Sequence, residues 1–193
     1  MNIPKIIKSS ATDLERVKAV LTLGFSSDAL LRWVFPDAFS FLKSFDVWME
    51  EFSKIAFENN IVYSEENFFG SSLWHPPGVE FDSSVLGPTF EYIPADRLEV
   101  VIKFFEEFEK YHPEDAWYLP FIAVDPSQQR KGIGSFLLKE ALKMIDEKGD
   151  RAYLEASNEL NKALYERHGF VEIGRVQFKD SPPAFPMIRE SIK

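Results

Sequence analysis

The apolar positions of this chain change period several times, and each change marks an element. In "ATDLERVKAVLTLGF", Leu14, Val17, Val20 and Leu21 recur at helical intervals behind Thr12 and Glu15 in capping-box spacing, after a short first strand over residues 2–8. Asp28 to Phe35 predicts a second helix ended by Pro36. A third follows over 39–58, with Phe41, Phe45, Trp48, Phe52 and Ile55 on one face. The period then shortens. "NIVYSEENFFGSSLWHPPG" predicts a β-hairpin turning at Glu65-Glu66-Asn67 and stopped by Pro76-Pro77-Gly78. Residues 79–93 carry no period, and "PADRLEVVIKFFEEFEKYH" predicts a helix between Pro94 and Pro113. A strand over 116–124 leads into a helix over 132–148 that turns Ile133, Leu137, Leu138, Leu142 and Ile145 inward. "RAYLEAS" reads as a strand, "NKALYERH" as a short helix closed by Gly169, and "FVEIGRVQF" and "FPMIRE" as final strands.

The unit strand–helix(132–148)–strand is a parallel crossover within an otherwise antiparallel pattern, which predicts an α/β (α+β) fold with a mixed sheet. No repeat or linker divides the 193 residues, so a single domain over 1–193 is expected. Aromatic residues make up 15% of the chain, enough for a sizeable core. A net charge of −9 without any basic stripe argues against nucleic acid as a partner and mildly favours a cationic one. The absence of cysteine removes disulfides, zinc–thiolate sites and thiol nucleophiles, and fits a reducing compartment. No stretch reaches the roughly 18 apolar residues of a membrane span. "MNIPKIIKSSATDLERV" is too short in its apolar part, and too interrupted by lysine, for a signal peptide. A cytoplasmic protein without membrane association is expected.

The chemistry concentrates in "VDPSQQRKGIGSFLL" (124–138). A helix start exposes unpartnered N–H groups and partial positive charge, and glycines there let a ligand approach the backbone. Arg130 and Lys131 add charge, so the junction suits a phosphate or pyrophosphate. A nucleotide P-loop would need its lysine after the glycine, whereas Lys131 precedes Gly132. A dinucleotide fingerprint would need a third glycine where Leu137 stands. Glu155 does lie where a ribose-binding acid would, but the antiparallel strands before residue 124 oppose a doubly wound sheet.

Gln129, Gly132 and Gly134 in this stretch resemble the acyl-CoA signature Gln/Arg-x-x-Gly-x-Gly/Ala of the GNAT acyltransferases. Asn161, Tyr165, Gly169 and Phe170 in "YLEASNELNKALYERHGF" resemble the second GNAT signature, on the right elements and in the right order. "HPEDAWYLPFIAVDP", "YLEAS" and "FPMIRE" are similar to the branch that contains puromycin N-acetyltransferase. The helices at 28–58 and 94–110 depart from the minimal fold of that superfamily.

The resemblance implies a GNAT acyl-CoA N-acyltransferase fold that moves acetyl from acetyl-CoA directly to a primary amine of a small molecule or peptide, without a metal. It implies that the strand with Ile122, Ala123 and Val124 pairs with pantetheine, and that Gln129, Arg130, Lys131, Gly132, Ile133, Gly134 and Ser135 hold the pyrophosphate. Tyr165 would be the general acid to the CoA thiolate; its phenol, ordinarily near pKa 10, stays protonated. Asn161, one turn earlier, would bond the cofactor, with a helix cap as its alternative role. Glu155 is the first candidate base, ahead of His112, His75 and Glu114. Trp74 and His75, after the hairpin, and His112 are candidate acceptor-wall residues, and Trp33, Phe35, Trp48 and Trp117 are further aromatic candidates. GNAT sheets often pair through C-terminal strands, which leaves room for a homodimer. The alternative is a non-catalytic acetyl-CoA-binding sensor or partner-binding module.

Overall fold

A computed structural model describes residues 3–192. The predicted first strand begins at residue 2, outside the described residues; within them β1 spans Ile6–Lys8. Helix α1 (Leu14–Phe25) is entered through a 3-10 turn at Ala11–Asp13, capped where the Asp13 carboxylate accepts from the Ser10 backbone N–H at 2.9 Å. The cap therefore sits two residues before the expected Thr12/Glu15 pair, because Thr12 spends its hydroxyl on Ser10 instead. Asp28 caps α2 (Ala29–Val34) and Asp37 caps α3 (Ala38–Glu58), each by side-chain acceptance from the first-turn N–H groups. The hairpin forms as β2 (Val62–Glu65) and β3 (Gly70–His75), with the Glu65 carboxylate tying the turn to the Asn67 N–H at 2.9 Å. The aperiodic stretch settles into 3-10 geometry over Ser83–Tyr92 and leads to α4 (Leu98–Glu109). Then come β4 (Ala116–Val124), α5 (Ile133–Lys148), β5 (Arg151–Ala156), α6 (Glu159–Glu166), β6 (Val171–Glu172) and β7 (Phe185–Arg189).

Among the described residues one seven-stranded sheet forms in the order β1-β2-β3-β4-β5-β7-β6. It is antiparallel except for the β4–β5 pair, as the single crossover requires. Phe121 meets Phe25 of α1 and Phe45 and Phe52 of α3, so those helices cover one face of the sheet. Val124 lies opposite, near α5, where it neighbours Gly134. Gly24 lets α1 approach β4 closely: a Cβ there would stand 2.5 Å from Ala123 Cβ. One expected strand is much shorter than its pattern. "FVEIGRVQF" pairs only at Val171–Glu172, plus one bridge from Val176 to Ala184. The break comes at Gly174, against which the Tyr111 ring packs so closely that no Cβ would fit.

Candidate active site

The site begins where two strands part. β4 and β5 pair at Ala116–Arg151, Trp117–Ala152 and Tyr118–Tyr153, and go no further. β4 continues to Val124 along β3, while β5 continues to Ala156 along β7, so a cleft opens between them. The register of β4 against β3 shifts between Leu73 and His75, placing a bulge at Leu119–Pro120. Pro120 lacks an N–H and so sits where the ladder is interrupted. The bulge also changes which side chains share a face. Tyr118 packs on His75, which stacks on Phe52, and Phe121 also packs on Phe52, so residues three apart face the same helix.

At the mouth of the cleft the chain turns through Asp125, whose carboxylate accepts from the Ser127 N–H at 2.8 Å, into the start of α5. Arg130 (φ 62) and Gly132 (φ 86) are both left-handed there. The first helical bond is donated by Phe136 to Gly132. The amides of Gln129 through Ser135 therefore have no acceptor among the described residues. Gly134 is not demanded by packing, since a Cβ would make only ordinary 3.7 Å contacts with Leu164 and Val124. A row of free amides beside an unneeded glycine fits a pyrophosphate. Gln129 Nε2 reaches the Val124 carbonyl at 3.4 Å, joining the row to the cleft strand. Arg130 and Lys131 are exposed beside it, with Lys131 Nζ 2.7 Å from the Gln128 side chain. Ser135 Oγ lies 2.8 Å from His168 Nε2, a contact that holds the end of α6 to the start of α5.

The far wall is α6. Tyr165 is 6% exposed, and its hydroxyl is held well above the ordinary phenol range by burial first, then by the carboxylates of Asp28 and Glu155. Asn161 donates its backbone N–H to the Asn158 side chain, so the cap is Asn158. Its own amide Nδ2 lies 3.4 Å from Ser157 Oγ. Ser157 Oγ donates to Asp28 at 2.6 Å, so the α1–α2 turn is tied across to the β5–α6 turn. Glu155 keeps part of its surface open but is packed densely, and burial pushes its carboxyl up to about 7 against the opposing influence of Tyr153 and Tyr118. Ile122, Ala123 and Val124 line β4 past the fork and are only partly buried.

The structure thus sets Tyr165 within electrostatic reach of Glu155 and Asp28, and α6 against the start of α5 and the cleft strand. It places the three candidate wall residues differently. Trp74 is fully buried in the core. His75 is 2% exposed, its ring nitrogen Nε2 is 3.0 Å from the Phe52 carbonyl, and burial pushes its pKa down to about 4, so it is neutral and enclosed. His112 sits at the surface end, its ring edge-on to Tyr118 and Tyr153 at 4.7 and 5.0 Å. Sequence reasoning did not single out Asp28, Ser157, Tyr118 or Tyr153. Asp28 had the signal of an N-cap before an apolar helix, but nothing local shows that its second oxygen reaches Ser157.

Residues 108–191 match the acetyltransferase (GNAT) domain family. An uncharacterized N-acetyltransferase of Schizosaccharomyces pombe is 29% identical over 130 residues, covering 58% of this chain and 51% of that protein. The chain therefore spans about half the length of this curated relative. A solved structure described as histone acetyltransferase HPA2 and related acetyltransferase, from Corynebacterium glutamicum, has a TM-score of 0.67 at 24% identity, with 98% and 97% of the two chains covered. The C-terminal condensation domain of Ebony, solved with beta-alanyl-dopamine, has a TM-score of 0.73 at 14% identity and covers 98% of this chain and 100% of its own. At these identities the structural likeness establishes the fold alone. No helix among the described residues is long and apolar enough to cross a membrane, and no cluster of metal-ligating side chains occurs among them.

Proposed function

We propose that the chain, whose residues 108–191 match the acetyltransferase (GNAT) domain family, is a single-domain N-acetyltransferase of that superfamily that acylates a primary amine of a small molecule or peptide. The observation that best supports this reading is the row of unpartnered amides from Gln129 to Ser135 at the mouth of the β4–β5 cleft. Acetyl-CoA, the donor used by GNAT acetyltransferases, supplies a thioester whose C–S bond breaks as the C–N bond of an amide forms. Ile122, Ala123 and Val124 offer it an unpaired strand edge, the Gln129–Ser135 amides a pyrophosphate cradle, and Asn161 a side-chain amide.

Glu155, held near neutrality, takes one proton from the arriving ammonium and frees the nitrogen lone pair. The Tyr165 phenol gives its proton to the departing sulfur and regains one from the nitrogen that has become the amide. Glu155 returns its proton to water, so one proton is released per acetyl group moved. Asp28 and Glu155 both set negative charge near Tyr165, which favours an acceptor that arrives as a cation.

Titration of acetyl-CoA in a calorimeter tests the cradle. The wild-type chain should bind it, and Gly134→Leu, which puts a side chain in front of the free amides, should bind roughly tenfold or more weakly with unchanged circular dichroism. Equal affinity in the variant would remove the amide row from the binding site.

A further inference from the structure

We propose that Asp28 and Ser157 are positioning residues that fix which end of the Asn161 amide is left free for the cofactor, its carbonyl oxygen, so that Asn161 accepts a hydrogen bond from an amide N–H of the pantetheine arm. The inference rests on the reading above, in which Asn161 meets acetyl-CoA, and it adds two residues and the direction of one bond.

An asparagine amide has nearly the same shape either way round, one end accepting and the other donating, so its neighbours decide the orientation. Here the neighbours form a chain with one polarity. Asp28 Oδ1 accepts from the Leu30 and Leu31 N–H groups at 3.0 and 3.1 Å, which caps α2. Its Oδ2 lies 2.6 Å from Ser157 Oγ. A carboxylate has no proton to give, so the single hydroxyl proton of Ser157 points at Asp28. Only lone pairs of Ser157 Oγ remain for its other neighbours. Two side-chain amides approach them, Asn158 Nδ2 at 3.3 Å and Asn161 Nδ2 at 3.4 Å. Asn158 is fixed separately, because its Oδ1 accepts the Asn161 backbone N–H at 2.9 Å as the cap of α6. Both amide contacts are long and individually weak. The reversed Asn161 amide, however, would set oxygen against oxygen with no proton between them.

The free end of Asn161 is therefore Oδ1, which has no hydrogen-bond partner among the described residues. Asn161 is half-buried and shares a helix face with Leu164 and Tyr165, three and four residues on. That face packs on the start of α5, where the Leu164 side chain lies 3.7 Å from the point at which a Cβ would stand on Gly134. An acceptor on this face calls for a donor, and the pantetheine amides carry N–H groups where a pyrophosphate offers only oxygens. Asp28 belongs to the α1–α2 turn, so the helical elaboration at the N-terminal side sets the polarity of a group on α6.

Asp28→Asn should invert this chain without removing it. Asparagine keeps an oxygen to cap α2, and its nitrogen then donates to Ser157. Asn158 is committed to its cap, so Asn161 turns its oxygen to the Ser157 hydroxyl and leaves its NH2 free. Acetyl-CoA should then bind the full chain roughly tenfold more weakly by calorimetry. Ser157→Ala, which releases the amide, should weaken binding about threefold, and Ser157→Thr, which keeps the hydroxyl, should restore it. Without cofactor, the nitrogen-15 side-chain amide signals of Asn161, assigned by their loss in Asn161→Ala, should move in both Asp28→Asn and Ser157→Ala. Asn161→Ala should itself weaken binding, and adding Asp28→Asn to it should weaken binding no further. Unmoved Asn161 signals in both variants, or a full further loss in the double variant, would overturn the proposal and leave the reading above intact. A wild-type chain that fails to bind acetyl-CoA would instead overturn that reading, and with it the bond proposed here.

Discussion

Tyr165→Phe should lower kcat for acetyl transfer roughly 10²- to 10³-fold while leaving acetyl-CoA affinity unchanged. The substitution removes one oxygen from a ring that is 6% exposed and packs edge-on to Phe170 at 6.0 Å, so the aromatic contacts survive. What disappears is the hydroxyl that, in the proposed mechanism, protonates the departing sulfur. A thiolate leaving group has an ordinary pKa near 8.5, so expulsion without a donor is slow but not forbidden. Burial and two nearby carboxylates keep the Tyr165 phenol protonated far into alkali. The wild-type rate should therefore show no alkaline loss traceable to this group up to about pH 10. Steady-state rates and calorimetry on the same preparation check both halves. A variant with unchanged kcat would remove Tyr165 from the chemistry, and a variant with weakened acetyl-CoA binding would make it a binding residue instead.

The second large effect concerns stability. Arg189→Leu should cost about 3 kcal/mol of unfolding free energy, the lower end for breaking a buried ion pair from one side. Arg189 is 4% exposed and donates from Nη1 and Nη2 to both oxygens of Asp146 at 2.7 and 2.8 Å. Its Nε donates to the His168 carbonyl at 2.8 Å. One side chain of β7 thus fastens the C-terminal parts of α5 and α6, the two helices that frame the cleft. Asp146 is 25% exposed, and water compensates part of the loss. The Arg189 hydrogen bonds are the main reason its carboxyl lies below the ordinary range. A depressed carboxylate contributes stability above its unfolded pKa, near 4, and loses it as pH falls through the folded value. Chemical denaturation at pH 7 should show the full difference between wild type and variant, and the difference should narrow as pH falls from about 4 through the depressed Asp146 value. A constant difference down to pH 3 would assign the effect to packing alone.

Most of the sheet was legible because its signals are local. The hairpin turn, the prolines at 36 and 113 and the period over 132–148 each report on neighbours in sequence. The strand over 170–178 misled because its ladder stops at Val171–Glu172, and beyond Gly174, against which Tyr111 packs, only the Val176–Ala184 bridge remains. The amide row was legible for the same local reason: two glycines at a helix start state their own geometry. The apex of the cleft was not. Nothing within "AWYLPF" announces that Tyr118 will meet Tyr153, since that pairing depends on the register of a parallel crossover. The bulge at Leu119–Pro120 then rotates Tyr118 onto the face of Phe121, against simple alternation. Trp74 and His75 looked like wall residues because aromatic and histidine side chains follow a turn there. Burial shows them to be core, with the imidazole spent on the Phe52 carbonyl.

Direct transfer to an amine is the central claim, and following a labelled acetyl group tests it most directly. Acetyl-CoA carrying carbon-13 at the acetyl carbonyl would be incubated with the full chain and, in turn, with polyamines, arylalkylamines, aminoacyl nucleosides, amino acids and short peptides. The account predicts label in an amide carbonyl of at least one amine, with an equal amount of thiol released. Label that stays in the thioester throughout, in a protein that binds acetyl-CoA by calorimetry, would contradict it and leave a binding module.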